Sequence, residues 1–330
     1  MSLTLYIILT FVLIGAEWIY IRLARSYGWF DLPNARSAHT NSTTVRAGGV
    51  VFYLAVVGAI WIGKLNLPYF ALGLTAIAVV SFWDDLRPLP KRYRLVVHTL
   101  AVGLLLIQGN LFGSQWYIIT ALFLVGVGIV NAYNFMDGVN GMIALYSLVT
   151  VGTLWYCQAQ TLPGAASLFP GVCISLLIFS FTNVRKQAIC FAGDIGSISM
   201  GFIVLYGLLA AINRSQTYLP ILFLAIYGVD SIGTILHRLY VGQPIFHAHK
   251  MHLFQLLVHQ HGWPHLRVAA LYAFAQAGIN VLVILALDWS TLNQLALAGL
   301  ILSALIVGYV WVKFRLVSAP KRVGFYVWRL

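Results

Sequence analysis

The chain has 330 residues, of which 61% are hydrophobic and only 8% are charged. Soluble globular domains carry about 25% charged residues, so this composition excludes an ordinary soluble domain and indicates an integral membrane protein. The net charge of +12 comes from basic residues scattered over short polar segments, whereas a nucleic-acid-binding protein gathers them on one surface. We therefore expect no nucleic-acid partner.

Hydrophobic segments predict an all-α fold, a polytopic integral membrane bundle of about 10–11 transmembrane helices. Most segments approach the roughly 20 residues that a helix needs to cross a bilayer. The lower number applies if residues 49–83 form a single helix rather than two. The predicted spans are 3–22, 49–63, 68–83, 95–108, 117–131, 141–157, 165–182, 196–212, 217–236, 266–287 and 292–312.

The basic residues predict how the bundle is oriented. With the N-terminus outside and the spans alternating, all but two of the 20 Lys and Arg residues fall on the cytoplasmic side, as the positive-inside rule requires. The C-terminus is then cytoplasmic. We expect one transmembrane domain over residues 1–312 and a basic, aromatic tail over 313–330 on the inner membrane surface. The expected cytoplasmic loops are 23–48, 84–94, 131–141, 183–195 and 237–265.

The acidic residues are few, and most are predicted to share the cytoplasmic side. Of the eight Asp and Glu residues, only Glu17 and Asp288 fall elsewhere. Acidic side chains at membrane depth are costly, so their presence suggests function. The other six are predicted at inner helix ends: Asp31, Asp84, Asp85, Asp137, Asp194 and Asp230.

Four polar segments on that side carry the candidate functional residues. They are FWDDLRPLPKRYR (82–94), NAYNFMDGVNGM (131–142), FAGDIGSISMG (191–201) and GQPIFHAHKMHLFQLLVHQHG (242–262). Each has a structural alternative: a solvated Asp pair, Asp194 as a helix cap, asparagines bonding between helices, and interfacial histidines or a zinc cluster. Four such segments on one membrane face favour a shared functional site.

The residue types in these segments indicate a chemistry. Carboxylates and amides suit a hard cation such as Mg²⁺, which takes one or two protein oxygens and completes its shell with water and phosphate. A glycine-flanked helix start, as at Asp194, offers backbone N–H groups to phosphate, and His and Arg side chains neutralise further phosphate charge. We therefore expect a diphosphate–metal site, with Asp137 and its neighbouring amides forming one wall.

These motifs resemble those of the polyprenyl-phosphate N-acetylhexosamine-1-phosphate transferases of glycosyltransferase family 4, multispanning enzymes that join UDP-sugars to a lipid phosphate. The resemblance is greatest to the branch that initiates O-antigen or related surface glycans. The muramyl-pentapeptide branch typically has contiguous histidines, whereas those of this chain are spaced. The matching motifs are DLPNARSAH (31–39), RAGG (46–49), WDD (83–85), NAYNFMDGVNG (131–141), FAGD-GS (191–197) and HAHKMH (247–252).

The resemblance implies a role for each matched residue. Asp84 and Asp85 correspond to an aspartate pair beside the lipid phosphate, and Asp137, also counted as catalytic, to a loop that borders the nucleotide. Asp194 corresponds to the principal Mg²⁺ ligand and Asn134 to a second ligand. The residues implied to bind substrate are Arg46, Asn131, Gly138, Asn140, Asn183, Phe191, His247, His249 and His252.

The implied reaction transfers an N-acetylhexosamine 1-phosphate from a UDP-sugar to undecaprenyl phosphate and releases UMP, with Mg²⁺, or alternatively Mn²⁺, as cofactor. Direct attack by the lipid phosphate is favoured, because a phosphate monoester is mostly dianionic at neutral pH. A covalent phosphoryl-aspartate is the alternative route.

The resemblance also implies a bacterial inner-membrane location, an active site on the cytoplasmic face and a homodimer. Two alternative functions remain open. One is a lipid-I synthase of the muramyl-pentapeptide type. The other is a transporter for an anion or a lipid-linked sugar, which would place its polar groups nearer the bilayer midplane.

Overall fold

The computed structural model describes residues 2–31, 43–113, 115–159, 167–244 and 249–318. Over these residues the chain is almost entirely helical, and its two isolated β-bridges both involve Val45. The α-helices are α1 (Leu3–Ser26), α2 (Val50–Gly63), α3 (Pro68–Leu86), α4 (Lys91–Gln108), α5 (Trp116–Met136), α6 (Met142–Ala159), α7 (Leu168–Asn183), α8 (Gly193–Ser215), α9 (Ala225–Tyr240), α10 (Leu253–His259), α11 (His265–Ala286) and α12 (Thr291–Ser318). Short 3₁₀ helices cover Leu111–Gly113 and Leu219–Leu224, and the second leads directly into α9.

The predicted all-α polytopic fold is confirmed. Eight helical segments among the described residues are long and apolar enough to cross a membrane. The apolar helices α2 and α7 are shorter, and α4 opens with a basic cluster. All of the predicted spans coincide with helical segments, and α10 is a further, short helix.

The region 49–83 is two helices, so the alternative of one helix is wrong. The chain leaves α2 at Lys64, which adopts a left-handed conformation with φ of +49°. It enters α3 at Pro68. Proline is favoured in a first helical turn, because its missing N–H has no partner there in any case.

Several loops are shorter than predicted, because the helices continue past their first polar residues. The helix α3 runs through Asp84 and Asp85 to Leu86, and α5 runs through Asn131 and Asn134 to Met136. The apolar sequence pattern stops where a helix begins to line the site. The helical backbone hydrogen bonds continue beyond that point. The predicted loop 237–265 likewise contains the end of α9 and all of α10.

The final helix also passes its predicted end. It continues to Ser318, so the boundary at residue 312 is wrong. Lys313 is buried and does not lie on a surface tail. Its ammonium group is satisfied there, because it donates hydrogen bonds to the hydroxyls of Tyr309 and Thr234. Residues 319–330 of the predicted tail lie outside the described part of the chain.

The helix α8 lies at the centre of the bundle, against α2, α3, α5 and α6. Most of its residues are buried. Its first turn touches the start of α2 through two glycines: a Cβ on Gly196 would lie 2.7 Å from the Cα of Gly49. This close approach places the segment before α2, which carries Arg46, beside the N-terminus of α8.

Candidate active site

The N-terminus of α8 is capped by carboxylates from other helices. Asp85, near the end of α3, accepts the N–H of Asp194 at 2.9 Å through Oδ1 and the N–H of Ile195 at 2.9 Å through Oδ2. Asp137, which follows α5, accepts a hydrogen bond from the N–H of Gly193. These N–H groups are therefore taken by protein carboxylates, and the expectation that they would bind phosphate is wrong.

Gly193 makes this capping possible. Its φ is +71°, and a Cβ there would lie 2.6 Å from Oδ2 of Asp85 and 2.8 Å from the Cα of Ala47. A non-glycine residue would meet both a backbone penalty and a collision. The glycine that the sequence places before Asp194 is therefore needed to bring the start of α8 against α3.

Two carboxylates and one amide meet beside this capped helix end. Arg94, in α4, places Nη1 at 2.5 Å from Oδ2 of Asp84 and at 3.0 Å from Oδ2 of Asp194. The amide of Asn134 donates to Oδ1 of Asp194 at 3.3 Å, and the backbone N–H of Leu89 donates to Oδ1 of Asp84 at 2.6 Å. The carboxyl groups of Asp84 and Asp194 also contact each other. Residues from α3, α4, α5 and α8 thus converge on one point.

Arg94 is a site residue that sequence reasoning missed. The basic cluster after the Asp pair was visible, but it offered several cations at similar spacing. The structure selects Arg94 because α4 begins at Lys91, so that a side chain one turn into the helix faces α3. Lys91 and Arg92 are exposed.

Asp85 is paired with a different arginine from the one that pairs with Asp84. Arg46 places Nε 2.8 Å from Oδ1 of Asp85 and 3.8 Å from Oδ1 of Asp31. The side chain of Asp85 is 0% exposed, and three hydrogen bonds hold it. Burial lowers the pKa of Arg46, but the carboxylates around it outweigh burial and raise that pKa above its usual value. Arg46 is therefore a fixed cation of the site.

Asp137 lies in a different electrostatic setting. Burial, followed by the negative charges of Asp85 and Asp31, raises the pKa of Asp137 to about 7. A carboxyl group with a pKa near the working pH can exchange a proton efficiently. This property suits the catalytic role predicted for Asp137.

The donor set fits Mg²⁺ better than a metal that needs a full protein cage. Among the described residues no group of three or more His, Cys, Asp and Glu side chains is arranged to hold an ion. Mg²⁺ requires only one or two carboxylates, because water and substrate phosphate supply its other oxygens. Asp194 and Asp84, in contact with each other and beside the amide of Asn134, offer that set. The assignment of Asp194 and Asn134 as ligands stays a prediction.

Two predicted substrate residues hold the loops of the site together. Asn183, at the end of α7, accepts the N–H of Gly141 at 2.7 Å and donates to the carbonyl of Cys190 at 2.9 Å. Asn140 donates to the carbonyl of Arg185 at 2.9 Å. Both side chains are buried. The structure therefore shows them fixing the backbone beside the site, and direct contact with a nucleotide stays a prediction.

Three further predicted residues lie at the margin of this cluster. Asn131 donates to the carbonyl of Val127 within α5, at 2.8 Å. Gly138 packs against the first turn of α10. The N–H of Phe191 donates to the carbonyl of Val45 at 2.9 Å, which ties the two loops of the site together.

The described part of the histidine segment packs against the end of α5. The ring of His252 stacks on Phe135, with ring centroids 6.1 Å apart, and on Phe254, at 5.8 Å. His249 lies 4.9 Å from His252 by the same measure. Because Phe135 directly follows Asn134, this segment adjoins the acidic cluster. His247 lies outside the described residues.

This arrangement defines a class of protein, a polytopic helical membrane protein with a carboxylate-rich site shared by several helices. A sequence model described as glycosyl transferase family 4 matches residues 67–212. The match includes Asp84, Asp137 and Asp194. Over these residues the chain is similar to glycosyl transferase family 4.

Curated relatives extend the match beyond that region. The chain is 27% identical over 264 residues to a probable undecaprenyl-phosphate N-acetylglucosaminyl 1-phosphate transferase of Bacillus subtilis, covering 72% of each chain. It is 26% identical to an undecaprenyl-phosphate alpha-N-acetylglucosaminyl 1-phosphate transferase of Yersinia pestis, over 72% of this chain and 71% of the relative. It is also 26% identical to a phospho-N-acetylmuramoyl-pentapeptide-transferase of Heliobacterium modesticaldum, over 72% of this chain and 80% of the relative.

Proposed function

We propose that this protein transfers an N-acetylhexosamine 1-phosphate from a UDP-sugar to undecaprenyl phosphate, giving undecaprenyl-diphospho-sugar and UMP. The observation that carries the proposal is the convergence of Asp84, Asp194 and Asn134 beside the capped start of α8. The names of the relatives supply the substrate classes, a lipid phosphate and a sugar 1-phosphate donor.

Within this class we place the protein in surface-glycan initiation, such as that of O-antigen, rather than in peptidoglycan synthesis. Relatives of both kinds match at similar identity, so identity alone does not separate them. The spacing of His247, His249 and His252 supports the first, because the muramyl-pentapeptide branch typically carries contiguous histidines. The geometry also supports an enzyme over a transporter, because its carboxylates gather at adjoining helix ends, whereas transporter sites lie near the midplane.

In the proposed mechanism, an oxygen of the lipid phosphate attacks the sugar-linked phosphorus of the donor. The bond between that phosphorus and the oxygen shared with UMP breaks, and UMP leaves with the bonding electrons. The lipid phosphate is mostly dianionic, since its second pKa is about 6, so it needs little help from a base. Direct attack also agrees with the burial of Asp85 and its three hydrogen bonds, because such a carboxylate is poorly placed to act as a nucleophile.

The side chains of the site would divide the remaining tasks. Asp194, Asp84 and Asn134 would hold Mg²⁺, which when bound offsets negative charge on the diphosphate. Arg94 and Arg46 add fixed positive charge close to the reacting phosphates. Asp137, with its pKa of about 7, can release or accept a proton beside the nucleotide.

The proposed location follows from the two substrates. The isoprenoid tail stays in lipid while its phosphate meets a water-soluble nucleotide, so the site belongs at a membrane surface. We place that surface on the cytoplasmic face of the bacterial inner membrane, since the basic residues predict it.

A panel of UDP-sugars tests the proposal. Purified protein in lipid nanodiscs is supplied with undecaprenyl phosphate, Mg²⁺ and one donor at a time, namely UDP-GlcNAc, UDP-GalNAc, UDP-FucNAc, UDP-QuiNAc or UDP-MurNAc-pentapeptide. We expect release of UMP and a lipid diphospho-N-acetylhexosamine by mass spectrometry with at least one of the first four. Turnover of the pentapeptide donor alone would move the protein to peptidoglycan synthesis, and turnover of none would refute the proposal.

A further inference from the structure

Asp230 is a buried carboxylate to which the proposed reaction gives no role. The sequence places it at an inner helix end, but it lies one and a half turns into α9, which begins at Ala225, and ten residues before that helix ends. It is 2% exposed. A buried carboxylate is costly unless it is well bonded, so its partners indicate what it is for.

Those partners come from separate parts of the fold. Oδ1 of Asp230 accepts the N–H of Leu253, the first residue of α10, at 2.8 Å and the hydroxyl of Thr234 at 3.2 Å. Oδ2 accepts the hydroxyl of Tyr272, in α11, at 2.7 Å. One side chain therefore joins α9 and α11 to the start of α10, which directly follows His252.

The same carboxylate faces the imidazole of His252. Oδ1 of Asp230 lies 3.6 Å from Nδ1 of His252, slightly beyond hydrogen-bond length. Contacts of this kind are often long before substrate binds and tighten in the complex. The imidazole is 3% exposed and stacks on Phe135 and Phe254. With Nδ1 turned to Asp230, the other ring nitrogen, Nε2, points away from the carboxylate.

The last helix completes the cluster from a third side. The ammonium group of Lys313 donates to the hydroxyl of Tyr309 at 2.5 Å and to that of Thr234 at 3.3 Å. Thr234 and Tyr309 share a hydrogen bond of 3.0 Å. The ring of Tyr309 fits against Gly233, where a Cβ would lie 2.6 Å from it. The positive charge of Lys313 is thereby held near Asp230 through two hydroxyls.

We propose that Asp230 is a positioning residue that orients the imidazole of His252 toward the sugar-diphosphate, with Lys313 balancing its charge. The proposal rests on the proposed function, because it treats His252 as the group that meets substrate. Asp230 acts through Nδ1 of His252 and through the first turn of α10. Nε2 is then the nitrogen presented to the donor.

A double-mutant cycle tests whether Asp230 acts through His252. The variants are Asp230→Asn, His252→Ala and the pair, with Asp288→Asn, an exposed carboxylate, as the matched control. Removing the group that orients a metal-ligating histidine typically costs 10–100-fold in activity, and we take the same scale for the Asp230–His252 pair. We expect Asp230→Asn to lower kcat/KM by about that factor, and the double variant to be no worse than His252→Ala. Equal losses from Asp230→Asn in both backgrounds would overturn the proposal.

A chemical readout separates this proposal from the proposed function. Diethyl pyrocarbonate modifies accessible imidazoles, and mass spectrometry measures the rate at each histidine without any turnover. We expect His252 to be protected in the wild type and to react at least several-fold faster in Asp230→Asn, while His237, which is already partly exposed, stays unchanged. An unchanged rate at His252 would refute the positioning role even if the enzyme is active. A raised rate in a protein that transfers no sugar phosphate would instead refute the proposed function.

Tyr272→Phe covers the case in which Asp230→Asn does not fold. It removes one hydrogen bond from the opposite oxygen of Asp230 and touches neither the charge nor His252. We expect a smaller loss of kcat/KM in the same direction, absent when His252 is alanine. A loss that persists in the His252→Ala background would again contradict the proposal.

Discussion

Asp85 and Asp194 are adjacent in space, but the bundle depends on them differently. Asp85 is fully buried and accepts two backbone N–H groups and the guanidinium of Arg46. Asp194 is partly exposed and shares Arg94 with Asp84. The first carboxylate holds the start of α8 in place, whereas the second is offered to the site.

Substituting the two residues by asparagine should therefore give different results. Asp85→Asn replaces one carboxylate oxygen by an NH₂ group, which cannot accept a hydrogen bond. One of the buried N–H groups that Asp85 accepts then loses its partner, which lowers the free energy of unfolding by about 1–3 kcal/mol. In Asp194→Asn the crowding of two carboxylates is relieved, so we expect unchanged or higher stability and at least about 100-fold slower turnover. Thermal unfolding in detergent and UMP release measure the two effects. Equal destabilisation by both substitutions would contradict this division.

Arg94 should compete with a divalent cation for the same carboxylates. Arg94→Gln leaves Asp84 and Asp194 in contact without a nearby cation, so we expect a lower melting temperature in EDTA. We also expect a larger rise on adding Mg²⁺ than in the wild type, because a ligand that binds the folded state stabilises it. Arg92→Gln is the matched control, since Arg92 is exposed and lies over the ring of Tyr93. An identical response to Mg²⁺ in both variants would show that the cation binds elsewhere.

At the scale of helices, the site depends on the close approach of α2 and α8. A Cβ on Gly196 would lie 2.7 Å from the Cα of Gly49 and 2.9 Å from the Cβ of Ala192. Backbone atoms cannot give way as a flexible side chain does. The two helices must therefore separate if either glycine gains a side chain, and the cap that Asp85 provides would move with them.

Gly196→Ala should consequently reduce both stability and turnover, although alanine is the better helix former by about 1 kcal/mol. Gly152→Ala, in α6, is the control, because a Cβ there meets nothing within 4 Å. We expect the control to unfold at the same temperature as wild type or higher, and Gly196→Ala to unfold lower. Wild-type behaviour of Gly196→Ala would mean that the helices are less tightly apposed than described.

The order of the apolar helices was predictable from the sequence, but their inner ends were not. Hydropathy located each apolar run, and glycine and proline at residues 63–68 marked the break between α2 and α3. The ends were misjudged because Asp84, Asp85 and Asn134 are polar residues that remain helical. Such residues look like loop in an apolar pattern, and only their partners on other helices explain why they stay in the helix.

At the scale of the whole molecule, residues far apart in the chain were predicted to meet, and several do. Asp194 meets Asn134, 60 positions earlier in the chain, as the family motifs implied. The contacts of Arg94 and Asp230 were not predictable, because they depend on which face of α4 or α9 points inward. The same limit applies to Asn183. Its motif match did not reveal that its side-chain amide is hydrogen-bonded to the backbone of Gly141 and Cys190.

The topology predicted from the basic residues is also testable. Single cysteines at Tyr93 and Tyr240 should react with an impermeant thiol reagent only from the cytoplasmic side. Cysteines at Asn66 and Ser290 should react only from outside. The four positions are exposed, and the three native cysteines are first replaced by alanine. Reaction of Tyr93 and Tyr240 from opposite sides would refute the alternating arrangement and the one-sided site.

We propose that Asp194, Asp84 and Asn134 form a magnesium site for sugar-phosphate transfer to a lipid phosphate. The most direct test is UMP release from the preferred UDP-sugar across a Mg²⁺ titration, comparing wild type, Asp194→Asn and the Gly152→Ala control. We predict saturable dependence on Mg²⁺ for the wild type and the control, and near-zero release for Asp194→Asn at every concentration. Release that persists in EDTA, or an unchanged Mg²⁺ response in Asp194→Asn, would contradict the claim.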